Sequence, residues 1–445
     1  MTAMLQEAAR EIPVIAESDV LVVGGGAAGM AAACAAARAG ASTLLIERQG
    51  FLGGTLTAVT LGGFCGTHMV VDEARLARVV GGFYLDIEQR LAARHAILPP
   101  KRHGKIVGTP YESASLKIVA DEIAAAHGVN LLFHTYAVAV DYHDRRIGAI
   151  IVENKGGRAA IRAGVVIDCS GDGDVAARAG ADFTLGDHGV TQYGSAMFKL
   201  GGVDIAVAEK LSRADIREHL EAAVAVGYPL PRTATGVHIN PLEGVVHLNV
   251  TRLGDEAGRP FNMVDPGQLS RAEIIGRRQV YMYEEVFQKF VPGFAKSRVI
   301  DIGTTVGVRE TRLIAGEQTL TVEMVKGCVK PADRIACSAW PLEAHGEGRG
   351  TVWEFLPDAE HYGIPYGCLV AKGFDNLLVA GRNLSATHLA QASVRVAGPC
   401  FAMGEAAGIA AVLATRAHIA ARDVAVGEIQ QQLLEHGAIL TPRIE

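Results

Sequence analysis

The stretch DVLVVGGGAAGMAAACAAARAGASTLLIE, residues 19–47, decides the fold. Its opening DVLVV carries a continuous apolar run after Asp19, the pattern of a strand buried on both faces of a parallel sheet. Gly24-Gly25-Gly26-Ala27-Ala28-Gly29 follows at once, and the alanine-rich stretch to Ala39 reads as a helix with Gly40 at its C-cap. STLLIE then forms the next strand, so residues 19–47 are one βαβ unit. Gly24, Gly26 and Gly29 fit G-x-G-x-x-G between strand and helix, with Glu47 about twenty residues on. These glycines permit a tight turn and close backbone approach to a pyrophosphate, whose charge meets the free N–H groups and positive dipole end of the helix. Glu47 is placed to accept hydrogen bonds from a ribose. A plain glycine-rich turn would explain the glycines but not this acid.

VNLLFH (129–134) reads as another buried strand, and AVAVDYH, IGAIIVEN and GRAAIRA (137–163) as a β-meander separated by polar turns. GVVIDCS (164–170) returns to continuous apolar character and runs into Gly171-Asp172-Gly173-Asp174. Residues 181–360 mix strands and helices, including a helix over 270–289. NLLVAGR (376–382) is a strand entering a turn, and 396–417 a long helix of small residues. The expected fold class is α/β: a Rossmann-like dinucleotide-binding domain with a β-meander, built from 1–180 and 361–445, with an inserted α+β substrate or cap domain over 181–360.

The 445 residues are 49% hydrophobic and 20% charged, with 52 glycines, which supplies a large core and excludes a disordered or collagen-like chain. A net charge of −6 offers no attraction to nucleic acid or anionic lipid, so a small-molecule substrate is the default. Seven cysteines without a CxxC pair suit a reducing compartment and provide no metal or cluster cradle. The first nineteen residues show no secretory signal, and the apolar tract 27–37 is shorter than the roughly 20 residues a bilayer span needs. A cytoplasmic protein without membrane or nucleic-acid partners is expected, and a homo-oligomer is compatible with it.

After Glu47, Arg48-Gln49-Gly50-Phe51-Leu52-Gly53-Gly54-Thr55 places a double glycine where extended backbone can run beside a flat ring. With DCSGDGDVAARAGA (168–181), HLNVTRLGDE (247–256), VPGF (291–294), GVRETRLIAGE (307–317), YGIPYGCLV (362–370) and NLLVAGRNLSATHLAQASVRV (376–396), the chain resembles the FAD-dependent oxidoreductase family. That family is placed within the glutathione-reductase-like two-dinucleotide-binding superfamily, distantly similar to fumarate reductase and succinate dehydrogenase flavoproteins. The resemblance implies bound FAD. Gly24, Gly26, Ala28, Gly29, Glu47 and Arg48 would hold its adenosine and pyrophosphate, and Gly53, Gly54 and Thr55 would lie along the isoalloxazine. Val138 would touch the adenine edge, Gly381, Arg382 and Asn383 would close over the ribityl and phosphate groups, Gly171 would belong to the segment that returns the chain to the FAD site, and the amides at Val396 would face the flavin pyrimidine oxygens.

Gly171-Asp172-Gly173-Asp174-Val175-Ala176 is a second G-x-G-x-x-A, but the following FTLGD is a poor ribose-binding strand, so this segment is read as part of the FAD site. Gly54 to Thr60 lacks the cysteine pair of the disulfide reductases. Cys65 and His68 are read as a buried thiol and a loop histidine rather than a covalent flavin link. For catalysis, His388 is the candidate base, and Arg309 and Arg395 the candidate clamps for a substrate oxygen or the reduced flavin, each with an acid such as Glu310 or Glu405 as an alternative partner. His247, Tyr366 and Trp340 are further pocket candidates. The expected activity is transfer of a hydride from a small polar organic substrate (alcohol, hydroxy acid, sugar-like compound or amine) to flavin N5, with the electron acceptor left open. The alternatives are an electron-transfer flavoprotein subunit and a non-redox flavoprotein.

Overall fold

The computed structural model describes residues 5, 9–345 and 351–444. A seven-stranded sheet organises them. Its parallel strands run, across the sheet, Asn130–Leu132, Thr43–Ile46, Val14–Val23, Gly157–Asp168 and Leu377–Val379. Numbered along the chain this is the order 3-2-1-4-5, with the reversal between Val14–Val23 and Gly157–Asp168. Ligands of such sheets bind outside the carboxyl ends of the strands flanking that reversal.

Two adjustments to the expected strands follow from pairing. The first strand begins at Val14 rather than Asp19, because Val14 to Ser18 align with Ala160 to Ala163. GRAAIRA and GVVIDCS are one strand, Gly157–Asp168, whose first half pairs antiparallel with Arg146–Asn154 and whose last residues pair parallel with Leu377–Val379. The meander, completed by Tyr136–His143, therefore grows from the same strand that carries the C-terminal segment back into the sheet. This register brings Asp168 level with Val379 and sets the turn after each strand side by side.

Helices Ala27–Arg38 and Ala397–Ala417 pack against one another on this sheet, and glycine makes the approach possible. A Cβ at Gly404 would overlap the carbonyl oxygen of Ala28, and one at Gly408 that of Ala32. Ala397–Ala417 is, among the described residues, the helix long and apolar enough to cross a bilayer, yet 89% of its most apolar window is buried inside the fold. The helix expected over 396–417 is preceded by a separate one, His388–Val394, with Arg395 and an extended Val396 (ψ 167°) forming the break.

A second core occupies residues 196–306, where Phe198, Leu200, Val246 and Leu248 from a four-stranded antiparallel sheet meet Leu220, Val280, Tyr283 and Phe287 from two helices. The longer helix is Pro266–Phe290 rather than 270–289, because Asp265 caps it by accepting from the Gln268 amide at 2.8 Å and proline suits its first turn. Within the span 181–360, Leu320 and Ile335 are buried in the core of the first sheet, and Ile314 on its other face.

Candidate cofactor and substrate cleft

One cleft of about 420 Å³ runs from the glycine turn to the four-stranded sheet of the second core. At the first end, Gly24 adopts φ +99°, and a Cβ there would stand 2.5 Å from the carbonyl oxygen of Cys169. A Cβ on Gly29 would overlap the Gly24 carbonyl, so the turn closes only with glycine at both places. No side chain caps the helix that begins at Ala27 and no acid occupies its first turn. Its leading amides thus face a cleft lined by Gly24, Gly26, Ala27 and Ala28. Glu47 lines the same end, its Oε2 accepting from the Gly25 amide at 2.7 Å and its Oε1 from the Gln49 amide at 2.8 Å. The double-glycine loop is fastened to this turn by the Gly53 amide, which donates to the Gly25 carbonyl at 2.8 Å, while a Cβ on Gly54 would lie 2.7 Å from Gly26 Cα. An acid at the ribose position, an uncapped helix start and two glycine loops in mutual contact fit an FAD.

The turn after Leu377–Val379 closes over the neighbouring wall. Arg382 donates from Nε to the Gly171 carbonyl at 2.9 Å, from Nη2 to Asp172 at 2.6 Å and from Nη1 to the Val308 carbonyl. Asn383 donates to the Asp168 carbonyl at 3.1 Å. In the second glycine motif the amides that open the following helix, Asp174, Val175 and Ala176, are already taken, the first by Ser170 Oγ at 2.9 Å. The buried Asp168 carboxylate already accepts from Ser170, Val175 and Ala176, and the helix that follows is five residues long.

At the far end the cleft is basic. Arg309 is buried and donates to the Tyr193 carbonyl at 2.5 Å, Ser195 Oγ at 2.8 Å and Asn249 Oδ1 at 3.1 Å. Arg232 donates to the Asn249 carbonyl at 3.1 Å, so Asn249 bridges the two guanidiniums. Arg395 Nη2 lies 3.9 Å from Glu343 Oε2. Burial opposes ionisation of Glu343, but its bond to His345 and the surrounding arginines outweigh this and hold the carboxyl well below the usual range. His247 shows both ring nitrogens without a partner although it is 2% exposed. Its ring centroid lies 5.7 Å from that of His238, which lies 5.9 Å from His103. Burial holds all three imidazoles below their ordinary value, His103 to about 4 and His238 to about 3.

Of the residues singled out from sequence, Gly24, Gly26, Ala28, Glu47, Arg48, Gly54, Thr55, Gly171, Gly381, Arg382, Val396, Arg309 and Arg395 all line this one cleft, as do His247, Trp340 and Cys65. Burial pushes the Cys65 thiol up to about 12, which keeps it protonated. Gly29 and Gly53 stand behind the lining, and Asn383 supports it. Val138 lies at a register shift in the outer meander strand and is not among the lining residues. His388 stands apart as well. It opens helix His388–Val394, and its Nδ1 is 2.7 Å from the fully buried Glu310. Burial disfavours its imidazolium, but the Glu310 bond and charge prevail and raise its pKa. His68 and Tyr366 are also outside the lining; Tyr366 donates to the Ala421 carbonyl at 2.7 Å. The acids named as partners for the arginines are engaged elsewhere, Glu310 with His388 and Glu405 with Arg38, and Glu343 takes their place.

Sequence reasoning passed over Arg232, His238, Asn249 and Glu343. Alternation along HLN would have put His247 and Asn249 on one face of a strand. Arg232 and Glu343 belong to no local pattern and meet the others only through the tertiary fold.

No curated protein sequence is significantly similar to this chain. Among solved structures it is similar to a geranylgeranyl bacteriochlorophyll reductase-like protein from Thermoplasma acidophilum (14% identity, TM-score 0.47, 95% of this chain and 84% of that one). It is similar also to p-nitrophenol 4-monooxygenase from Pseudomonas putida (12%, 0.45, 95% and 85%). A third likeness is to anhydrotetracycline hydroxylase from Streptomyces rimosus (11%, 0.45, 94% and 64%). The sequence model of the FAD-dependent oxidoreductases matches residues 19–433, from the glycine-turn strand to the last helix. The chain belongs to the FAD-dependent oxidoreductase family.

Proposed function

We propose that the protein oxidises a small polar organic molecule bound at the basic end of the cleft, as a dehydrogenase or oxidase. The observation that carries this reading is the continuity of the cleft: residues suited to the dinucleotide and residues suited to a polar substrate line one space. Bound FAD supplies a two-electron acceptor. The substrate C–H bond breaks with its electron pair leaving as hydride, and the hydroxyl or amine proton leaves to a base, giving a carbonyl or imine.

The chain's own residues bind, orient and take up that proton. Gly24, Gly26, Ala28 and Glu47 hold the dinucleotide end, with Gly54, Gly171, Gly381 and Val396 along the walls. Arg309 and Arg395 orient the substrate oxygen. His247, rather than His388, is the residue assigned to accept the proton: its ring lines the cleft and both its nitrogens are unpaired. His388, tied to Glu310, holds the segment before Arg395.

Anaerobic addition of polyols, hydroxy acids and amines to the FAD-loaded protein tests the reading. Bleaching of the flavin band by one such donor, slowed at least tenfold in His247→Ala and little changed in His388→Ala, is the expected result. Absence of bleaching by every donor, together with turnover of an organic compound at constant flavin colour, would overturn it.

A further inference from the structure

We infer that the substrate is an organic carboxylate, its anionic group received by Arg232 together with Arg309 and Arg395 and its apolar body lying against Trp340 and Trp353. This rests on the reading that the cleft is the substrate site of an FAD-dependent oxidation.

Three guanidiniums meet at one end of the cleft. Arg232 is 8% exposed, and its Nη1 and Nη2 donate to the Asn249 carbonyl at 3.1 Å and to Thr351 Oγ1 at 2.9 Å, leaving Nε buried without a partner. Arg395 likewise keeps an unpartnered, buried Nε, its Nη2 reaching Gln192 and the Glu343 carbonyl only at 3.5 Å. Arg309 donates through three N–H groups to neutral oxygens and, among the described residues, forms an ion pair with no carboxylate. Among the described lining residues at this end, Glu343 is the carboxylate present. Its oxygens are already engaged by Trp340 Nε1 at 3.2 Å and His345 Nε2 at 3.1 Å. Among the described residues, Glu343 and the buried Glu310 are the carboxylates whose charge reaches Arg395, and Glu310 is shared with His388, so the three buried cations are under-compensated, and burying such charge is costly unless a counter-charge arrives. Burial, followed by mutual repulsion with Arg395 and Arg232, pulls Arg309 far below its ordinary value. An incoming carboxylate supplies planar acceptors for guanidinium N–H groups and relieves that repulsion. Exposed Arg213, which lines the same cleft, adds to the attractive field.

The walls argue for an organic anion over an inorganic one. Trp340 and Trp353 both line the cleft, with ring centroids 6.2 Å apart at 63°. Trp353 is backed by Phe355, stacked at 5.8 Å. Such surfaces bury a hydrocarbon body that phosphate or sulfate lacks.

The test uses the FAD-loaded protein and reads binding, not turnover. Benzoate and succinate are titrated against benzamide and succinamide, and against inorganic phosphate and sulfate, following the flavin difference spectrum and the melting temperature. The expected result is a saturable response to at least one carboxylate, at least tenfold weaker with its amide, and a dissociation constant raised at least tenfold in Arg232→Gln with FAD content unchanged. Should Arg232→Gln lose its fold, the carboxylate and amide comparison on the unaltered protein decides alone. No saturable response to either carboxylate, an equal response to the amides, or a response confined to phosphate and sulfate would overturn the inference. Carboxylate binding without flavin bleaching by any donor would leave it standing and overturn the dehydrogenase reading; bleaching by neutral donors without carboxylate binding would do the reverse.

Discussion

The carboxylate of Glu47 accepts a hydrogen bond from the backbone amide of Gly25 at 2.7 Å, so the acid read as the ribose ligand also anchors the glycine turn. One side chain thereby links the end of the second parallel strand to the loop that receives a pyrophosphate. Glu47→Ala removes both functions. FAD affinity should fall at least tenfold, about 1.4 kcal/mol, seen as a lower ratio of flavin to protein absorbance after gel filtration. An unchanged ratio would take Glu47 out of the cofactor site.

The approach of helices Ala27–Arg38 and Ala397–Ala417 makes a sharper demand on one atom. Because a Cβ at Gly404 would overlap the Ala28 carbonyl, Gly404→Ala must push the helices apart and should destabilise the fold by about 1–3 kcal/mol. Urea denaturation of the variant measures this, and a midpoint equal to that of the parent would show that the contact yields freely.

The glycine turn, its flanking strands and the acid at position 47 were legible because they are local: periodicity and spacing within 29 residues encode them. The return of the chain through Leu377–Val379 was legible for the same reason. Its register beside Asp168 was not, since strand pairing is set by contacts more than 200 residues apart. The misplacement of His388 has a related cause. Its nearness to the GRN turn in sequence suggested the cleft, but helix His388–Val394 directs it to Glu310, which arrives from a distant segment. Arg232 and Glu343 likewise acquire their roles only when the second core is laid over the first sheet.

His388 carries a pH signature that separates a structural from a catalytic role. Its folded pKa is raised above the ordinary 6.5, so the stability it contributes is fully present below about pH 6.5 and is lost as pH rises through the higher folded value. The difference in melting temperature between the parent and His388→Ala should therefore be largest in mildly acidic buffer and shrink toward alkaline pH. A difference that grows with pH would contradict the His388 and Glu310 pairing.

Glu343 is the counter-charge to the arginine group. Glu343→Gln leaves the shape and removes the charge, which should cost about 3 kcal/mol of stability. Added sulfate should recover part of that loss in the variant more strongly than in the parent. Thermal melts at constant ionic strength, with sulfate replaced by chloride, check this; identical responses of the two proteins would show that the guanidiniums do not depend on Glu343.

The most direct test of the account is the visible absorption spectrum of the purified protein, before and after acid precipitation, with anaerobic addition of the donor panel. The account predicts a yellow protein whose colour passes to the supernatant as FAD, and whose flavin band is bleached by an organic donor but not by NADH or NADPH. A colourless protein that cannot take up added FAD would contradict it outright.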